Sequence, residues 1–305
     1  MFKKWSIALG PLVVLLTLTS ANAHQATPHK VEINNQWKDV AESDLQIEQR
    51  SALAKRLRAE NAIAKNHFGI GFDEPTYMLP FYYTGNPKQD IGPTPRNQRI
   101  KNEELKAQLS FKFPIWPHMY GSHWSIGASY TQLMYWQVYD KSQFFRETNY
   151  APALFLSDHF RPNWLGSVGV VHQSNGRGGT YERSWNRAYA NLTFSGTHWL
   201  VSVKPWILIF KADSSDLHNK NIAKYLGYER IVVAYKYHSQ EWSAMMRNSF
   251  ESGFQRLALE LNYSFPIHGV LHGFVQYFHG YGQSLIEYNQ KTNSFGVGLA
   301  LSNWI

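Results

Sequence analysis

The chain has 305 residues, no cysteine, an aromatic content of 15% and a formal net charge of +8. Without cysteine there is no disulfide scaffold, so a chain of this length needs a large core or a closed sheet. No dense Lys/Arg stripe accompanies the positive charge, and a nucleic-acid partner is not expected.

Met1-Phe2-Lys3-Lys4 leads into an apolar run from Trp5 to Leu18, and Ala21-Asn22-Ala23 follows. A basic start, a short apolar stretch and a small-x-small site predict a cleaved secretory signal peptide over residues 1–23. The run is shorter than the about 20 apolar residues of a spanning helix. Its removal takes away two lysines and no acid, so the net charge falls from +8 to +6. Residues 24–68 are polar and mixed in charge, with helix formers over 42–64. They predict a periplasmic N-terminal extension, either with one helix or as a weakly ordered leader to the domain.

From about Glu74 onward the period of the sequence changes to two. Over Leu105–Phe113 the odd positions are apolar and the even ones polar. Ile231, Val233, Tyr235 and Tyr237 repeat the pattern, as do Leu257–Phe265 and Phe295–Leu301. Apolar faces sustained over about 10 residues are the mark of transmembrane barrel strands. Strands of soluble sandwiches are nearer 5–6 residues. The expected fold is therefore all-β, a twelve-stranded antiparallel transmembrane β-barrel over residues 69–305. Its strands are predicted at 74–83, 104–114, 123–136, 144–159, 163–174, 185–195, 198–210, 228–238, 241–250, 255–265, 269–279 and 293–303. Short links (160–162, 195–197, 239–240, 266–268) alternate with long ones (84–103, 211–227, 280–292), which puts both ends of the barrel on the short-turn side. Polar interior side chains such as Lys106, Lys112, Lys236 and Glu260 fit either a plugged lumen or a pore.

The densest chemical signal is His172-Gln-Ser-Asn-Gly-Arg177 followed by Arg183-Ser-Trp-Asn-Arg187. His172 and Ser174 are two apart on one strand and share a face, as a base and its nucleophile must. Their parity is that of Trp164, Val168 and Val170, the lipid-facing set. Asn186 shares parity with Ala188, Ala190, Leu192 and Phe194 on the next strand and also faces outward. Polar groups on a lipid-facing wall are costly unless they pair or act. An asparagine can accept the imidazole N–H and fix its tautomer without placing a carboxylate beside lipid. Gly176, Gly178 and Gly179 leave backbone N–H groups open, and one of them could serve an oxyanion. The cluster fits either a hydrolase acting on esters presented by the membrane or a polar pair of the kind that any barrel rim carries.

These segments, with Ser129–Gln132, Phe145–Tyr150, Val203–Trp206 and Gly280–Tyr288, resemble the outer-membrane phospholipase A family of Gram-negative bacteria. The resemblance covers about residues 74–303. It implies a barrel that hydrolyses acyl esters of phospholipids and lysophospholipids. The family triad maps onto Ser174 as nucleophile, His172 as base and Asn186 as orienting residue, and its oxyanion amide maps onto Gly176. It further implies a Ca2+ cofactor and a homodimer as the active state, with the ion held by the Arg177 carbonyl, the side chain of Glu182 and a partner's hydroxyl that maps onto Ser142. A glutamine of the family's dimer contact maps onto Gln132, whose parity with Trp124, Ile126, Ala128 and Tyr130 also sets it on the lipid side. Two departures stand out: Glu182 where a hydroxyl residue is usual, and an Asn303-Trp304-Ile305 end in place of a terminal aromatic. The rival readings are a lipid A deacylase or acyltransferase on the same scaffold and a non-enzymatic outer-membrane pore.

Overall fold

The computed structural model describes residues 29–33, 36–40, 69–161, 163–210, 218–248, 250 and 252–305. The signal segment 1–23 and the helix expected over 42–64 lie outside the described residues. Within the N-terminal segment, β1 (His29–Ile33) and β2 (Gln36–Val40) pair as an antiparallel hairpin. The reading of 24–68 had no strand there, although Val31, Ile33 and Val40 are residues that strands favour.

The barrel consists of β3 (Thr76–Thr84), β4 (Glu103–Trp116), β5 (Trp124–Trp136), β6 (Phe145–Arg161), β7 (Trp164–Ser174), β8 (Ser184–Ser195), β9 (Trp199–Ile209), β10 (Glu229–Tyr237), β11 (Gln240–Arg247), β12 (Ala258–His268), β13 (Leu271–Tyr281) and β14 (Lys291–Ser302). Each strand pairs antiparallel with its neighbours in sequence, and β14 returns to β3 through pairs such as Leu299 with Met78. Closure leaves no unpaired edge, which is the condition for a sheet to stand in lipid. Proline cannot donate to a ladder, and Pro80, Pro114 and Pro266 all sit where the register shifts.

The alternation in sequence becomes an inside-out arrangement. Met78, Val168, Val170, Leu192, Ile207 and Leu301 are exposed on the outer wall, whereas Glu104, Lys106, Ser110, Arg146 and Gln276 are buried within. Aromatic side chains form girdles at the rims, as expected at a membrane interface. At the short-turn rim, Phe160, Trp164, Phe194 and Trp199 form a row of ring contacts with centroids 6.3, 4.5 and 5.0 Å apart.

The β11–β12 connection departs from expectation. The predicted strands 241–250 and 255–265 leave a four-residue link, but the ladder ends at Arg247 and resumes at Ala258. Asn248, Gly253 and Phe254 adopt positive φ, which an extended ladder cannot accommodate. Asn248 Nδ2 instead donates to the carbonyls of Lys224 and Tyr225. That contact secures α1 (Ile222–Leu226), a short helix in the β9–β10 loop that the periodicity did not signal.

The half of the lumen near the long loops is filled. Gln283, Ser284, Leu285, Ile286, Glu287 and Tyr288, from the β13–β14 loop, are all buried. Arg146 makes a bidentate pair with Glu104 at 2.8 and 2.9 Å and approaches Glu287 at 2.9 Å. All three side chains are almost wholly buried. A filled half-lumen is the plugged alternative of the sequence reading and does not favour an open pore.

Candidate active site on the outer wall

β7 and β8 form a hairpin in which His172 lies directly opposite Asn186 and Ser174 opposite Ser184. On the inner face just behind them, Gln173 Oε1 accepts from Trp185 Nε1 at 2.9 Å and from Arg187 Nη2 at 2.8 Å. Trp185 is fully buried and meets Trp206 edge-on, with Arg187 over its ring. These contacts fix the register of the two strands, and with it the separation of the outward-facing residues.

On the outer face, His172 Nδ1 and Asn186 Oδ1 are 2.9 Å apart. With Nδ1–H donating to the amide oxygen, the lone pair of the ring is on Nε2, the nitrogen available as a base. Ser174 shares this face two residues on, close to the loop. Among the described residues no hydrogen bond joins its hydroxyl to the imidazole. Such contacts are often long before substrate arrives.

Cross-strand pairing carries the row further. Ser174 is opposite Tyr150 on β6, and Tyr150 is opposite Gln132 on β5. Adjacent strands lie about 4.8 Å apart, so Gln132 and Ser174 are separated by about 10 Å along the outer wall. Tyr130 Oη donates to Gln132 Oε1 at 3.0 Å.

The loop after Ser174 is stapled by Asn175, which the sequence reading left without a role. Its amide oxygen accepts from the backbone N–H of Arg177 and of Arg183, and its Nδ2 donates to the Tyr181 carbonyl. Gly176 is in the left-handed region at φ 64°, and a Cβ there would lie 2.9 Å from the Tyr150 ring. Both facts require glycine.

Arg177 turns its side chain inward. Nε donates to Glu147 at 3.1 Å, Nη1 to the Ile91 carbonyl at 2.7 Å, and Nη2 to the Arg146 carbonyl. Glu147 is buried and also accepts from Asn149 Nδ2 and from the Ile286 N–H. The 175–183 loop is therefore bolted to the β13–β14 plug and to residue 91 of the β3–β4 loop. Tyr181 Oη donates to Asp90 at 2.9 Å, which holds the phenol above its ordinary range. Burial of the Arg183 guanidinium pushes it below its own range.

The expected metal ligands divide. The Arg177 carbonyl and the half-buried Glu182 carboxylate belong to one loop, and among the described residues the Glu182 carboxylate has no hydrogen-bond or ion-pair partner. Ser142 stands apart in the β5–β6 loop, where its carbonyl accepts from Gln98. Among the described residues no cluster of three His, Cys, Asp or Glu side chains could hold a metal by itself. A hard oxygen set of one carbonyl and one carboxylate, completed by water and a further hydroxyl, suits calcium better than a transition metal.

The family model of phospholipase A1 matches residues 53–301. The chain belongs to the phospholipase A1 family. Phospholipase A1 of Proteus vulgaris is 37% identical over 246 residues, 78% of this chain and 83% of that protein. The Escherichia coli K12 enzyme is 37% identical over 214 residues, covering 68% and 72%. Among solved structures, Escherichia coli outer membrane phospholipase A superposes with a TM-score of 0.72 at 33% identity, over 79% of this chain and 94% of that one. A Salmonella typhi outer membrane phospholipase, solved as a dimer with bound calcium, gives 0.71 at 32% identity, over 79% and 96%. An active-site mutant of the Escherichia coli protein, asparagine to alanine, gives 0.74 at 31% identity, over 83% and 100%. This phospholipase is thus an outer-membrane barrel enzyme that hydrolyses phospholipid, and its family matches the resemblance carried by the His172 and Arg183 segments.

Proposed function

We propose that the phospholipase cleaves acyl esters of phospholipids and lysophospholipids with Ser174 as nucleophile, His172 as general base and Asn186 as the group that orients the imidazole. The observation that carries this reading is the His172–Asn186 hydrogen bond on the lipid-facing wall, with Ser174 on the same face. His172 Nε2 takes the hydroxyl proton as Ser174 Oγ attacks the ester carbonyl. The imidazolium that forms is held by the Asn186 amide oxygen and returns the proton to the leaving glycerol oxygen. Water then hydrolyses the acyl-enzyme by the same base. The Gly176 N–H is the candidate oxyanion donor. The asparagine of the Escherichia coli active-site mutant lends further support to an asparagine in the third role.

The Arg177 carbonyl and Glu182 are assigned to a calcium ion, with Ser142 contributed by a second barrel through the Gln132 face. Bound there, calcium supplies positive charge beside the developing oxyanion. The calcium-bound Salmonella typhi dimer supports this part, as does the row from Gln132 through Tyr150 to Ser174, which brings the proposed dimer face within about two strand spacings of the nucleophile. This location sets the chemistry at the long-loop rim.

The test is fatty-acid release from phospholipid in mixed micelles by the refolded mature chain, with calcium and with chelator, beside Ser174→Ala. Loss of release in the variant is expected. Equal rates for both proteins would remove Ser174 from the mechanism, and full activity under chelation would remove the ion but leave the triad.

A further inference from the structure

Three adjacent strands carry a row of cations on the lumen wall. Arg230 on β10 lies directly opposite Lys204 on β9 and directly opposite Arg247 on β11. All three share the inward parity of Trp206, Val232 and Ser243, which are buried. Like charges placed opposite one another across a ladder repel, so the row needs counter-charge.

The chain supplies it only in part. Arg230 pairs with Glu74 at 2.6 Å. Lys204 Nζ sits 3.9 Å from the centroid of the Tyr189 ring, and Arg247 donates to the Tyr281 and Gly282 carbonyls. Among the described residues neither has a carboxylate at ion-pair distance. A fourth cation, Arg187, is matched by a neutral amide and two indole rings. The Nε atoms of Arg187 and Arg247 are buried without a hydrogen-bond partner among the described residues.

All four line one cavity of about 190 Å³. Five cationic and three acidic side chains border it in total. Asp73, Glu74 and Trp304 stand at its short-turn end, and Gly282 and Gln283 of the plug close the other. We propose that this cavity is a binding site for a small free phosphoryl anion that enters from the short-turn mouth. A phosphate dianion offers several acceptor oxygens to forked guanidinium donors and would offset the surplus charge of the row. The cavity, bordered by forked guanidinium donors, suits phosphate or a small phosphate ester. The site lies inside the barrel, on the other side of the sheet from His172, and does not depend on the catalytic reading.

The experiment titrates the refolded mature chain in zwitterionic detergent with inorganic phosphate, in a low-chloride buffer, followed by isothermal calorimetry and by 31P line width. One saturable site per chain is expected. Lys204→Gln and Arg247→Gln are each expected to weaken it about tenfold, in line with loss of a charge-assisted contact. Fatty-acid release is expected to be unchanged in both. No saturable binding by the wild type, or equal affinity in Lys204→Gln, overturns the proposal. Should Arg247→Gln loosen the plug, Lys204→Gln decides alone, because among the described residues Lys204 Nζ has no hydrogen bond or ion pair and lies over the Tyr189 ring, and its barrel is expected to stay intact by heat-modified gel mobility.

Discussion

Replacing Asn186 by alanine removes one atom pair of consequence, the Asn186 Oδ1 that lies 2.9 Å from His172 Nδ1. In the ground state that bond joins two neutral groups at the protein surface and contributes about 1 kcal/mol. During attack the ring becomes an imidazolium, and a hydrogen bond to a charged group is worth about 1.5–3 kcal/mol. The difference of about 0.5–2 kcal/mol lowers kcat by roughly 2- to 30-fold, at 1.36 kcal/mol per tenfold. The alanine variant also lets the ring rotate and adopt the other tautomer, which turns Nε2 into a donor, so the full loss expected is about 10- to 100-fold. Asn186→Asp keeps an acceptor oxygen at the same reach and should recover much of the loss. The assay is initial-rate fatty-acid release over a range of phospholipid mole fractions, with folding checked by heat-modified gel mobility. A kcat for Asn186→Ala within twofold of wild type, while Ser174→Ala is inactive, would refute an orienting role for Asn186.

Gly176→Ala forces a Cβ into the left-handed region and to 2.9 Å from the Tyr150 ring; strain of about 1–2 kcal/mol moves the backbone N–H, and kcat should fall at least about tenfold with KM little changed. Glu147→Ala leaves the Arg177 guanidinium without its carboxylate and frees the Ile286 N–H; removing one partner of a buried pair costs about 3–5 kcal/mol. Here that cost should appear as faster proteolysis of the 175–183 loop and lower activity, with barrel gel mobility retained. Glu182→Gln keeps size but removes the charge and replaces one of the two oxygens by an amide nitrogen, and should raise the calcium concentration for half-maximal release about tenfold; an unchanged calcium dependence would exclude Glu182 as a ligand.

The barrel was legible because one rule governs it throughout. Away from the register shifts at Pro80, Pro114 and Pro266 the outward positions follow a period of two, so strand number, pairing and the outward setting of His172, Ser174, Asn186 and Gln132 follow from local alternation. The boundaries failed where a local geometry ended a ladder that composition would have continued, as at Asn248 and Phe254. The loop cage was invisible for a different reason. Glu147 reaches Ile286 across 139 residues, and Arg146 reaches Glu104 across 42. Neither pair leaves a periodic trace in sequence. Asn175 lay within the motif itself, but its three hydrogen bonds are to backbone groups, which any sequence provides.

The Glu104–Arg146–Glu287 cluster also bears on the order of folding. Its three members come from the second barrel strand, the fourth barrel strand and the last long loop, so the cluster cannot assemble until nearly the whole chain has been threaded. Contacts that span such distances form slowly, because chain entropy is lost before they return any stability. Closure of β14 on β3 is the step that brings Glu287 within reach of Arg146. The plug, and the 175–183 loop bolted to it through Glu147, therefore set last, on a wall that has already formed.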